Sequence, residues 1–141
     1  MSIEEIQNEI IEDFELLETR EDKYTYIIEL GKNLSPLATD YKVAENQVKG
    51  CQSTVWLHAY MQDNQLIFEG DSDALIVKGL VSLLIQVLSQ QKPEDIAQAD
   101  LFFIDKIGMQ QYLTMQRTNG LVAMIKQMKW YAVAFQAKAT L

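Results

Sequence analysis

Residues 54–88 read TVWLHAYMQDNQLIFEGDSDALIVKGLVSLLIQVL, two strand-like runs followed by an almost wholly apolar one. Thr54 to Met61 is rich in β-branched and aromatic residues, the types that suit a pleated surface. On a period of two, Val55, Leu57, Ala59 and Met61 share one face and Trp56, His58 and Tyr60 the other. Asp63-Asn64 is a turn signal, and Gln65 to Glu69 reads as the return strand of a hairpin. Gly70-Asp71-Ser72-Asp73 then offers helix N-caps. From Ala74 to Leu88 apolar residues fall on nearly every side, so the helix they form must be buried. It is expected to be central, with Gly79 permitting close approach of a neighbour.

Working outward, Ser2 and Glu5 match a capping box, and Ile3, Ile6, Ile10, Phe14 and Leu17 recur at helical spacing, predicting a helix over 3–18. Thr19 and Asp22 suggest a second helix start, with Gly31 as its stop. Pro36 marks a loop. Pro93-Glu94-Asp95-Ile96 reads as a first helical turn. Periodicity leaves the apolar run Leu101 to Ile104 undecided. A long helix runs from Thr114 or Met115 to about Lys138, with Leu121, Met124, Ile125, Met128, Ala132 and Phe135 as its buried stripe. The order predicts an α+β fold, a small antiparallel sheet flanked by helices, in a single domain over 1–141.

Composition narrows function. The 141 residues are 48% hydrophobic and 23% charged, with a net charge of −8. That balance argues against nucleic acid and against an anionic membrane surface as partners. No apolar run is long enough to span a bilayer, and the acidic N-terminus is unlike a signal peptide, so a cytoplasmic location is expected. Charge is also unevenly placed. Residues 1–22 hold nine acids and one base, and no acid follows Asp105. The simpler reading packs the first and last helices together; the sharper one gives two oppositely charged docking surfaces.

Cys51 is the only cysteine and His58 the only histidine. One thiol makes neither an internal disulfide nor a thiolate metal site, and no metal or cofactor is expected on this chain. Cys51 follows Gly50, between a loop and a strand. It can be a thiol offered at a loop tip, with Lys49 favouring the thiolate, or an inert buried cysteine. His58, seven residues on and strand-borne, is a poor general base for it. No second cysteine supports a dithiol cycle, and no glycine-rich phosphate loop is present. What a lone accessible thiol can do is carry a group: its thiolate can attack the outer sulfur of another protein's persulfide and keep it.

The stretch Val48-Lys49-Gly50-Cys51-Gln52-Ser53-Thr54-Val55-Trp56 resembles the signature of the SufE family, sulfur acceptors of iron–sulfur cluster assembly. Three further blocks follow in the family's order: Gly70 to Leu80, Pro93 to Ile96, and Leu113-Thr114 through Arg117, Asn119, Gly120 and Leu121. Together they cover roughly Leu34 to Met128. The resemblance implies a fold like that of the scaffold IscU. It implies Cys51 as a persulfide acceptor, with Gly50, Gln52, Ser53, Asp71, Asp73 and Arg117 in support. Arg117 would pair with an acid near the site. The implied partners are a PLP-dependent cysteine desulfurase of the SufS or CsdA type and an Fe–S scaffold complex as recipient; the PLP belongs to the desulfurase. Self-association into a homodimer is compatible with this reading. A carrier's thiol needs shelter at rest, so Cys51 is expected in an apolar pocket between sheet and central helix. The alternative function is an adaptor that binds a desulfurase or another enzyme without carrying sulfur. A cysteine hydrolase or transferase is a third reading that lacks a base.

Overall fold

A computed structural model describes residues 1–139. Helix α1 (Ile3–Glu15) begins with the expected capping box, Ser2 Oγ accepting from the Glu5 N–H and Glu5 returning to the Ser2 N–H. It ends three residues before the predicted boundary, leaving Leu16 exposed, because Thr19 must be extended to cap helix α2 (Arg20–Lys32). Thr19 Oγ1 accepts from the Asp22 N–H there. After 3-10 turns at Thr39–Tyr41 and Ala44–Asn46 come strands β1 (Val55–Gln62) and β2 (Gln65–Ser72). Helices α3 (Leu75–Leu88), α4 (Pro93–Gln98), α5 (Phe103–Lys106) and α6 (Met115–Ala139) complete the order.

The hairpin has the expected turn. Asp63 and Asn64 have φ of 52° and 65°, the pair of left-handed residues whose twist matches antiparallel strands. Register runs from Gln62 opposite Gln65 to Val55 opposite Ser72. Val55 and Leu57 point into the core as the alternation predicts, but Met61 on the same face is exposed where the hairpin outruns its cover. Strand β2 is three residues longer than expected and absorbs the Gly70-Asp71-Ser72 segment. Those residues are therefore not N-caps; Ala74 takes that position without a side-chain cap.

The far end of α3 is stitched back to the hairpin. Ser89 Oγ accepts the Phe68 N–H at 2.9 Å, the Leu66 N–H donates to the Gln91 carbonyl, and the Gln90 N–H donates to that of Leu66. Helix α3 thus lies along β2, with Leu80, Val81, Leu83, Leu84, Val87 and Leu88 buried. Helix α2 crosses its other side so closely that a Cβ on Gly79 would stand 2.0 Å from the Ile27 carbonyl oxygen. Gly31 lies in the same crossing, within 2.7 Å of the Gly79 amide nitrogen by the same measure. Gly31 is thus a packing residue inside α2 rather than its stop, because the contact with α3 needs a bare backbone there.

Helix α1 packs on α3 and α5, whereas α6 packs mainly on α4 and also reaches α3 and β1. The first and last helices are not a complementary pair. No ion pair joins them among the described residues, where the pairs are Glu29–Lys32 and two to Asp71. Leu101 to Ile104 resolves into the entry of α5. Buried Gln7 fixes it, accepting the Phe103 N–H and donating to the Asp100 carbonyl. In α6 Leu121, Met124, Met128 and Ala132 are buried as predicted, with Ile125 and Phe135 half-buried. No described helix is long and apolar enough to cross a membrane.

Gly79→Ala is expected to lower stability by about 3 kcal/mol or more, since the new methyl meets backbone rather than a side chain that can turn aside. Chemical denaturation measures this, and a loss under about 1 kcal/mol would contradict the crossing geometry.

Candidate functional site

Residues 49–54 form a loop closed at its base by a hydrogen bond from the Val48 N–H to the Val55 carbonyl, 2.8 Å. Gly50, at φ +95°, turns the chain where a side chain would be strained. A second tether comes from the end of β2. The Asp73 carboxylate accepts the Thr54 N–H at 3.1 Å, and the Ser72 hydroxyl donates to the Thr54 carbonyl at 2.8 Å. The segment read as helix caps therefore clamps the exit of the cysteine loop.

Asp71 braces the same corner from below. Its carboxylate receives the Ser72 N–H at 2.8 Å, Lys42 at 3.3 Å and Lys78 at 3.4 Å. Burial alone would raise its pKa. The Ser72 hydrogen bond, the Lys42 contact and the two lysine charges outweigh that and hold it below the usual carboxylate range. Asp71 joins the segment after the first 3-10 turn, the end of β2 and the first turns of α3, so its geometry is structural.

Cys51 is half-buried against α6. Its Sγ donates to the Gly120 carbonyl at 3.5 Å. A cavity of about 180 Å³ opens beside the thiol, lined by Gln52, Ser53 and Val77 and by Thr114, Gln116, Arg117, Gly120 and Met124. The expected shelter is thus present with a different wall. The central helix contributes Val77, but α6 stands where the sheet was expected, and hydroxyl and amide groups share the lining with apolar ones. Burial raises the thiol pKa, so the resting group is a thiol; the expected thiolate-favouring effect of Lys49 is not what governs it. Lys49 is exposed and faces a different groove.

Arg117 reaches this cavity without the acidic partner expected of it. Its Nη1 donates to the Tyr24 hydroxyl at 3.1 Å, and its guanidinium lies 6.0 Å from the centre of that ring. The Thr114 hydroxyl accepts the Arg117 N–H and sets the start of α6. His58 stacks on Tyr41 with ring centres 3.8 Å apart and does not line the thiol cavity. Among the described residues, neither histidine nor carboxylate lines the Cys51 cavity. The structure brings Cys51, Gln52, Ser53 and Arg117 around one cavity, and places Gly50, Asp71 and Asp73 as its supports. Sequence reasoning places none of Gly120, Thr114, Val77 or Tyr24 beside the thiol or its cavity. Gly120 had the clearest signal, a glycine inside a long helical pattern.

Comparison with known proteins bears on family and fold. The SufE family, described as an Fe-S metabolism associated domain, is matched over residues 8–132. An uncharacterized SufE-like protein of Rhizobium meliloti (strain 1021) is 42% identical over 127 residues, covering 86% of this chain and 91% of the relative. One from Synechocystis sp. is 39% identical, covering 90% and 80%. The solution structure of a hypothetical protein from Thermus thermophilus superposes with a TM-score of 0.76 at 21% identity, covering 92% of this chain and 94% of that one, a likeness of fold.

Three outcomes follow from the site. Alkylation of Cys51 in the folded chain is expected to rise with pH along a curve displaced to higher pH than that of the unfolded chain. Gly120→Ala, whose new methyl would meet Sγ at 3.3 Å, is expected to push the thiol outward and speed alkylation severalfold at fixed pH. Matching pH curves would contradict the sheltered thiol. For Asp71, stability from a lowered carboxyl pKa is present above the ordinary carboxylate value and lost as pH falls through the lowered native one. Asp71→Asn is therefore expected to cost about 1–3 kcal/mol near neutrality, with the gap from wild type closing below about pH 4 in denaturant titrations.

Proposed function

This chain belongs to the SufE family of domains associated with Fe–S metabolism, and from that premise we propose that it is a sulfur acceptor working through Cys51. The observation that carries the reading is a lone thiol on a closed, twice-tethered loop, sheltered beside a small cavity with room for an added sulfur atom. Shelter suits a carrier, because an exposed persulfide is lost to solvent thiols and oxidants.

In this reading the Cys51 thiolate attacks the outer sulfur of a persulfide on a PLP-dependent cysteine desulfurase of the SufS or CsdA type. A sulfur–sulfur bond forms on Cys51, the donor's bond breaks, and the donor cysteine leaves as a thiolate. The proton lost by Cys51 goes through solvent to that leaving thiolate. The outer sulfur keeps its oxidation state, so no outside oxidant or reductant is needed. Removal of product stimulates the desulfurase, and the sulfur passes on to an Fe–S scaffold complex. The raised thiol pKa lowers the thiolate fraction at rest, and release from the cavity into water returns the thiol to its ordinary acidity and raises that fraction. Gly50, Gln52 and Ser53 shape the loop, Asp71 and Asp73 anchor it, and Arg117 forms a wall of the cavity. The chain acts as one domain over 1–141 in the cytoplasm, as a carrier and activator rather than as an enzyme in its own right.

Incubation with a cysteine desulfurase, PLP and cysteine, without reductant, is expected to add the mass of one sulfur atom to the intact chain. Cys51→Ser and thiol reductant should each abolish the gain. Stimulation of the desulfurase that survives Cys51→Ser, with no sulfur gained by wild type, would instead establish the adaptor.

A further inference from the structure

One helical stripe further round α6 from the thiol cavity lies a wider groove of about 750 Å³. Its walls include Lys49 and Gly50 of the cysteine loop, Glu45 on the opposite lip, and Val122, Lys126 and Trp130 of α6. Trp130 is 65% exposed and Val122 46%, large apolar surfaces left in water. Val133 continues the stripe at 55% exposure. Spacings of four, four and three along Val122, Lys126, Trp130 and Val133 place these residues on one helix face. The back of the groove is rigid. The Tyr131 hydroxyl donates to the Leu57 carbonyl at 3.3 Å and accepts from the Gln127 amide at 3.3 Å.

The charge of the groove opposes that of the chain. The whole protein carries −8, yet α6 has no acidic residue, and neither Lys49 nor Lys126 is in an ion pair among the described residues. An apolar floor between two free cations fits a segment with acidic side chains beside apolar ones. Contact of α6 with the α6 of a second copy would set lysine against lysine. We propose that this groove docks an acidic, apolar-edged segment of the protein that supplies sulfur to Cys51, an inference that rests on the sulfur-acceptor reading. Docking there bears on Lys49 and Gly50, so the partner is held by the loop that carries the thiol. The exposed Trp130 is the anchor, and Lys49 and Lys126 set orientation and encounter rate.

The test follows sulfur uptake from a cysteine desulfurase supplied with cysteine, over a range of acceptor concentrations. Trp130→Ala and Lys126→Glu are expected to raise the half-saturating concentration about tenfold and leave the plateau rate unchanged. Added salt should weaken uptake by wild type more than by Lys126→Glu. Both side chains lie on the surface of α6, so thermal melting should match wild type. Lys138→Glu, on the same helix outside the groove, should behave as wild type. Variants that saturate as wild type does overturn the groove assignment while leaving the acceptor reading intact. An equal effect of Lys138→Glu overturns it as well, by reducing the effect to bulk charge. A shift in oligomeric state without a change in saturation makes the face a self-association surface and overturns it too. A wild-type chain that gains no sulfur overturns the acceptor reading, and the groove proposal with it.

Discussion

Position 79 has no room for a side chain, and much of the architecture depends on that. Helix α3 is apolar over most of its circumference, broken only by the row Lys78, Ser82 and Gln86, so most of it must be covered. The hairpin covers one side through direct continuation of β2 into α3 and through the Ser89 and Gln91 hydrogen bonds at the other end. Helix α2 covers the other at backbone distance, with Gly31 and Gly79 together removing the methyl groups that would hold the helices apart. Close approach trades side-chain volume for extensive backbone contact. It also fixes where α2 delivers Tyr24, and hence where Arg117 finds its hydroxyl partner.

The cysteine loop inherits its position from that frame. Its base is a rung beside β1, its exit is held by Ser72 and Asp73 at the end of β2, and the corner beneath is neutralised by Lys42 and Lys78 around Asp71. None of these contacts touches the sulfur. They determine that Cys51 meets α6 at Gly120, where a bare helix backbone offers a carbonyl oxygen and leaves space for the thiol. Rigid anchors around a sheltered reactive atom are the usual division of labour between scaffold and loop.

Local chemistry made much of this readable. The capping box at Ser2 and Glu5, the Asp63-Asn64 turn, the largely apolar character of α3 and the need for a small residue at Gly79 rest on periodicity or on one backbone preference. What escaped was tertiary. Arg117 meets a tyrosine 93 residues away, and Cys51 meets a carbonyl 69 residues away; spacing along the chain carries no trace of either. The Gly70-Asp71-Ser72-Asp73 segment was misread because acids and serine before a helix satisfy the rule for caps and also suit a strand end that must hold two lysines and a loop. Gly31 was misread for a similar reason: a glycine near the end of a helix looks like a terminator whether it ends the helix or lies beneath a neighbour.

The hydrogen bond from Val48 to Val55 acts as a caliper. Cys51 is three residues from one jaw and four from the other. A chain fully stretched from Val48 gains at most about 3.5 Å per residue, so the cysteine backbone travels no further than about 10 Å from its base while the rung holds. That radius bounds the chemistry open to the sulfur. A reacting atom buried deeper than this inside another protein is out of reach unless that protein opens or this rung breaks. Insertion of residues between 49 and 54 would lengthen the arm and loosen its aim together, since the same closure sets both.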